Sequence, residues 1–438
     1  MSNLWRKIVR DLRNPLLRNG YALMVNTGIT AVLGMGYWLL AEEFYTAEEF
    51  GRGQAMITVM RLFASLTALG LAGALAKFIP IAGRRTPELI LRGYSLAAAT
   101  GGAAAVGFLL TVPLWGETYS WLGGLGPDLF FLGAVLVWAV FTLQDVVLTG
   151  LRQAVWVPVN SLIFGLVKMG LLIALAGALP HGGIFVSWVV PTALALIPIN
   201  WFIFGYVVPK HQKANPIEGR PPRLKEIGRF LAGDYPGTLS ILAIIYLVPT
   251  IVSTQVGPAT FGRFSMAHTL GCLIELLAMN MAVSLTVEGS FDPAQLAANC
   301  RRALRRAFMI IVPIIAVTLV GAPFILLIFG TEFAEEGTTL LRLMAVAVVP
   351  RVLIEVYLSS LRARGEARRL AFVQIGLAGL ILVSIFALFP FAHVNAVGWG
   401  ILLSELLVAG LIYRDLRKTL NFAKTGQRSV VERSSETA

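Results

Sequence analysis

Residues 307–329 read AFMIIVPIIAVTLVGAPFILLIF, and none of these 23 side chains is charged. A helix of about 20 apolar residues crosses a bilayer core of about 30 Å. In lipid only a helix or a closed barrel satisfies its own backbone hydrogen bonds. The run itself excludes the barrel, whose strands alternate apolar and polar residues over about ten positions. The flanks add a direction: Arg301, Arg302, Arg305 and Arg306 precede the run, and Glu332, Glu335 and Glu336 follow it.

Moving outward, the same reading finds eleven more runs, at 20–41, 53–76, 93–115, 129–149, 156–177, 184–207, 230–252, 265–285, 340–361, 370–389 and 397–413. The chain is therefore expected to be an all-α polytopic membrane protein with about twelve transmembrane helices. Composition agrees. Of 438 residues, 57% are hydrophobic and only 14% charged, against about 45–50% and about 25% in soluble domains. Mean hydropathy is +0.76. So few charges cannot cover a soluble surface of this size, which excludes soluble multidomain enzymes, disordered chains and disulfide-rich secreted domains. Cys272 and Cys300 match neither a disulfide framework nor a zinc site. Glu42 and Glu43 follow the first run where a signal peptide would carry small residues, so that run reads as a span.

Lysine and arginine set the expected orientation. Of 36 such residues, thirty fall in the terminal segments and the even-numbered connections, and two, Arg52 and Arg263, in the odd-numbered ones. The positive-inside rule then places both termini in the cytoplasm of a protein of the inner (plasma) membrane. It also accounts for the net charge of +12 without a nucleic-acid partner.

A basic linker at 209–229, carrying Pro216, Pro221 and Pro222, separates six-helix bundles at 20–208 and 230–413. A basic segment, 1–19, precedes them and a cytoplasmic tail, 414–438, follows; 4–17 reads as lying on the leaflet. Phe50-Gly51-Arg52 opens the second run and Phe261-Gly262-Arg263 the eighth, 211 residues later. An echo at matching topological positions reads as a parallel pseudo-repeat, its halves related by an axis along the membrane normal, as in some secondary transporters. No Walker A, dinucleotide-binding or HExxH motif occurs, so transport driven by the chain's own ATP hydrolysis is not expected.

Ionisable side chains at bilayer depth are costly and mark cavities or partners. The deepest are Arg61, Lys168, Glu275, Arg351, Glu355 and Glu405, whereas Asp145, Asp234 and Arg342 lie near run ends. Arg351 and Glu355, four apart, share a helix face and can pair with each other. Arg61 and Lys168 have no acidic neighbour at helical spacing, so any partner comes from another helix. A cationic lining suits a diphosphate; an interhelical ion pair is the plainer reading of each residue. Glu275 follows His268 by seven residues on the same face, a pair that can carry a proton or hold a cation. Alternatively His268 only hydrogen-bonds a neighbouring helix. No cofactor or metal is expected beyond a coupling cation such as H+ or Na+. Trp115, Trp121, Trp156, Trp201 and Tyr206 read as interfacial anchors.

Three stretches carry a family resemblance: RNGYA at 18–22, YTAEEFG at 45–51 and LGLAGALAKFIP at 69–80. They resemble the polysaccharide transporter branch of the multidrug/oligosaccharidyl-lipid/polysaccharide (MOP) superfamily, which includes the Wzx-type O-antigen flippases. The likeness is clearest over roughly the first hundred residues, and span count and two-lobe layout extend it over most of the chain. It implies a V-shaped, MATE-like pair of six-helix bundles around a central cavity. It implies a flippase, not an enzyme, that moves polyprenyl-diphosphate-linked oligosaccharide outward by alternating access coupled to an ion gradient or membrane potential. Lipid-linked oligosaccharide, membrane lipids and glycan-assembly enzymes are the implied partners. The branch has no strict motif to transfer, so the expected site rests on this chain's own deep charges. Arg61, Lys168 and Arg351 are expected to attract the substrate, and Glu275, Glu355 and His268 to serve coupling or counter-charge.

Two alternatives stand beside this reading. A cation-coupled multidrug exporter of the same superfamily would favour acidic cavity residues, whereas the deep charges here are mixed. A polytopic polysaccharide polymerase or ligase would carry a large basic outer loop, which the short outer connections do not supply.

Overall fold

The structure, a computed structural model, describes residues 15–153, 155–179, 181–214, 237, 239–240, 242–291, 296–364 and 366–435. Among the described residues every regular element is helical. A helix meets each of the twelve predicted spans. They are α1 (Pro15–Phe44), α2 (Ala47–Phe78), α3 (Thr86–Leu109), α4 (Leu125–Gly150), α5 (Trp156–Ala178) and α6 (Gly183–Phe202). A π-helical turn, Ile203–Val207, and a further stretch, Val208–Ala214, prolong α6. A second π turn, Ala243–Leu247, leads into α7 (Val248–Gln255). Then come α8 (Pro258–Phe291), α9 (Leu296–Leu327), α10 (Thr331–Arg364), α11 (Ala367–Ala392) and α12 (Asn395–Ser435). Segment 1–14, linker residues 215–229 with their three prolines, Asp234 and most of 230–241 lie outside the described residues.

The third span is displaced from its apolar run. It starts at Thr86, with a proline in the first turn and Glu88 paired to Arg92, and ends before Pro113, which sits in the 3-10 turn Val112–Leu114. Hydropathy misses a polar first turn, and proline cannot donate the hydrogen bond that would prolong the helix. Among the described residues seven helices, α3, α4, α5, α6, α9, α11 and α12, are long and apolar enough to cross a bilayer. On α9, Ala307, Ile311 and Ile315 pack against Val348 and Val352 of α10, while Val317, Val320 and Phe324 stand exposed on another face. A helix apolar on its exposed side is stable against lipid, not water.

Contacts gather the chain into two compact units, Met1–Leu242 with Pro249–Gly262 and Ala243–Val248 with Arg263–Ala438. In the first, α2 packs on α3, α4 and α6, and α5 lies between α1 and α6. In the second, α10 and α12 form the centre against α9 and α11. The glycines of the echoed tripeptides, Gly51 and Gly262, meet inside the first unit. A Cβ on Gly51 would lie 1.6 Å from the Pro258 carbonyl oxygen, and one on Gly262 would lie 3.2 Å from Gly51 Cα. Glycine at both places lets α2 and the start of α8 touch backbone to backbone, the usual service of small residues between membrane helices. The echoed arginines match in chemistry. Arg52 bonds Glu48 at 2.6 Å and Glu49 at 3.4 Å, and Arg263 in the second unit bonds Glu332 and Glu336.

Candidate functional site

The deep charges form two clusters, one in each unit. In the first, Lys168 lies midway along α5 and is only 5% exposed. Its Nζ is 3.9 Å from the centre of the Trp188 ring, 4.3 Å from Tyr37 and 5.4 Å from Phe164. Helix packing sets this cage. Gly165, one turn before Lys168, admits Leu33 of α1, whose Cδ1 lies 2.5 Å from where a Cβ would be. That close approach brings Tyr37 of α1 beneath the ammonium. The Tyr37 hydroxyl then lies 2.7 Å from Ser187 Oγ and 3.0 Å from the Ile184 carbonyl, which locks its ring.

Trp188 serves two cations. The Arg61 guanidinium of α2 lies 5.9 Å from its centre and 5.8 Å from that of Trp138, and the two indoles are 5.4 Å apart. The negative faces of the rings offset part of the repulsion between these two positive groups. Among the described residues no carboxylate lies within ion-pair distance of Lys168. An ammonium has three donors, and in a low-dielectric interior its field on a nearby anion is strong. The cluster gathers two cations on one wall of indole rings. Arg61 and Lys168 are thus brought together at the Trp188 ring. The rings that hold them escaped the sequence reading, which placed aromatics at span ends. Trp138, in mid-run, was the one visible signal. Trp156, Trp201 and Tyr206 are exposed as anchors should be, whereas Trp115 and Trp121 pack inward on Phe108 and on Phe130 and Phe185.

In the second unit Arg351 holds three carboxylates. It bonds Glu355 at 3.0 Å, one turn along α10, and Glu275 of α8 and Glu405 of α12 at 3.3 Å each. The spacing of 351 and 355 foretold the first pair; only packing supplies the other two. Arg351 is therefore compensated in a way that Lys168 is not. With one guanidinium against three carboxylates, the cluster can take a further positive charge. Glu405 is 1% exposed, and its Oε2 has no hydrogen-bond partner among the described residues. His268 stands apart. Its ring stacks on Phe264, 5.4 Å between centres, and its Nε2 lies 3.7 Å from Cys272 Sγ. No hydrogen bond joins it to Glu275 among the described residues. Seven residues are about 10.5 Å of helical rise, so a shared face does not bring the two into contact.

No protein-family model and no curated protein matches the sequence. Solved structures match the fold. An inward-facing multidrug resistance MATE family transporter of the MOP superfamily has a TM-score of 0.69 at 15% identity, covering 92% of this chain and 99% of that one. The lipid II flippase MurJ, in an inward closed conformation, has a TM-score of 0.66 at 12% identity, covering 92% and 90%. A MOP superfamily transporter from Pyrococcus furiosus, whose reverse-polarity binding pocket suggests a different function, has a TM-score of 0.60 at 15% identity, covering 94% and 96%. The chain is an all-helical, multi-pass membrane protein with the fold of the MOP-superfamily MATE transporters and of the lipid II flippase MurJ.

Proposed function

We propose that the protein is a flippase for polyprenyl-diphosphate-linked oligosaccharide, a precursor of surface polysaccharide or lipopolysaccharide. It would carry the lipid from the cytoplasmic to the outer leaflet of the inner membrane by alternating access, with both termini cytoplasmic. One observation carries the reading: Lys168 and Arg61 share the Trp188 ring deep in the first unit, and no carboxylate pairs with Lys168 among the described residues. A diphosphate supplies the negative charge that Lys168 lacks and acceptors that both cations can share, Lys168 as a point charge and Arg61 through its planar fork. A cationic drug would be repelled there. The likeness in fold to a lipid II flippase agrees with a lipid-linked substrate.

Coupling is assigned to the second unit. Glu275, Glu355 and Glu405 around Arg351 offer surplus carboxylate to H+ or Na+. Arg351 is accordingly given to coupling and not to substrate, and His268 a packing role on α8. Glycan-assembly enzymes would deliver the substrate at the cytoplasmic face.

The same acidic cluster favours a second reading, a cation-coupled multidrug exporter. Proteoliposomes with labelled polyprenyl-diphosphate oligosaccharide on one leaflet, and a cationic dye in parallel, separate the two. Leaflet transfer of the lipid without dye export is expected. Dye export with no lipid transfer would overturn the proposal.

A further inference from the structure

A cavity of about 320 Å³ lies in the first unit and shares no lining residue with the Lys168 cage; it is lined by Pro80, Gly150, Arg152, Gln153, Lys210 and His211 among others. No acidic residue lines it. Arg152 and Lys210 make no ion pair among the described residues. The cavity thus gathers two permanent cations and an imidazole in a lining that, among the described residues, holds no carboxylate.

The backbone holds these groups deliberately. Arg152 closes α4 at φ 60°, a left-handed conformation. Its N–H bonds the Thr149 carbonyl at 2.9 Å, and the Gln153 N–H bonds Leu148 at 2.7 Å. Glycine is the default residue in this helix-ending turn, and an arginine there keeps its side chain against a steric cost. On the other wall the π turn Ile203–Val207 widens α6 just before Lys210 and His211, a distortion that recurs at functional sites. Gln212 Nε2 donates to the Arg84 carbonyl at 2.7 Å, tying this end of α6 to the α2–α3 connection.

Depth identifies the ligand. Trp156, Trp201 and Tyr206 stand exposed at the same ends of α5 and α6. The Phe202 ring bridges Trp156 at 5.1 Å and Tyr206 at 5.7 Å. Such a belt marks the level of lipid headgroups, and Lys210, 5.8 Å over the Tyr206 ring, lies one turn beyond it. Basic pockets between membrane helices at that level bind anionic headgroups. We infer that Arg152, Lys210 and His211 form a second anion site, which takes the phosphate of an anionic membrane phospholipid.

Native mass spectrometry of the full chain in detergent, with phosphatidylglycerol, phosphatidylcholine or inorganic phosphate added, tests this. Phosphatidylglycerol should be retained over phosphatidylcholine, and retention should weaken about fivefold for each charge removed in Arg152→Gly and in the double variant Arg152→Gln with Lys210→Gln. Arg152→Gly also separates binding from folding. Glycine suits the left-handed backbone, so its melting temperature should hold or rise while lipid is lost. Displacement of phosphatidylglycerol by millimolar phosphate would support the shared phosphate chemistry. Binding of phosphate without phosphatidylglycerol would overturn the lipid assignment. Equal phosphatidylglycerol retention by all three proteins would overturn the site.

Discussion

Lys168→Met removes the ammonium of the cage and keeps an unbranched stem of similar length. Burying an ammonium costs several kcal/mol after relaxation. Each of its cation–π contacts returns about 0.5–2 kcal/mol, and the one to Phe164 at 5.4 Å returns least. No ion pair among the described residues adds to that return. The buried charge is therefore a net cost of about 1–2 kcal/mol. A thioether in the same place gains about 0.3–1.5 kcal/mol on the rings. The variant should melt at the same temperature as the native chain or up to about 4 °C higher. Its leaflet transfer of polyprenyl-diphosphate oligosaccharide should fall between about tenfold and about a hundredfold, the worth of one charge-assisted bond. The two measurements together decide the matter: a melting temperature several degrees lower, with transfer intact, would make Lys168 a structural group and refute the anion site.

Three further outcomes follow from other residues. Arg351→Met has the opposite sign, because it strands three carboxylates, two of them, Glu355 and Glu405, buried; a loss of about 3–5 kcal/mol is expected, read as a lower melting temperature in detergent. Gly51→Ala drives a methyl to 1.6 Å from the Pro258 carbonyl oxygen, an overpacking of at least about 2 kcal/mol, whereas Gly28→Ala, with nothing within 4 Å of its added Cβ, serves as the neutral control. Tyr37→Phe leaves Ser187 bonded to the Ile184 carbonyl at 2.8 Å, so it should cost only about 1 kcal/mol; because it loosens the ring beneath Lys168, transfer should fall more than stability does.

The helices were legible because lipid permits so few backbone solutions, and a long apolar run has one meaning there. Their ends were less so. The third span moved from its run because Thr86, Pro87 and Glu88 are a polar helix start that hydropathy discounts. The tripeptide echo at 50–52 and 261–263 was visible in the letters, but that its glycines face each other was not. The site divides the same way. The Arg351–Glu355 pair lies one helical turn apart on one element, so periodicity alone announced it. His268 and Glu275 also share a face, yet two turns of rise keep them from contact. Arg152 looked like one more basic residue of a short connection until its left-handed backbone and the cavity wall of Lys210 and His211 appeared together.

By itself the amino-acid sequence determined that this is a helical membrane protein, where its long apolar runs lie, and which few ionisable groups fall inside them. Those are one-dimensional properties, set by how each residue partitions between water and lipid. Only the tertiary structure decided which charges are compensated. In the chain Lys168 has no acidic neighbour at helical spacing and Arg351 has one, Glu355, but neither one's full surroundings can be read there. Packing surrounds one with Tyr37, Phe164 and Trp188 and the other with Glu275, Glu355 and Glu405. Electrostatic interactions in a low-dielectric interior depend on distances across helices, and those distances exist only once the helices have packed.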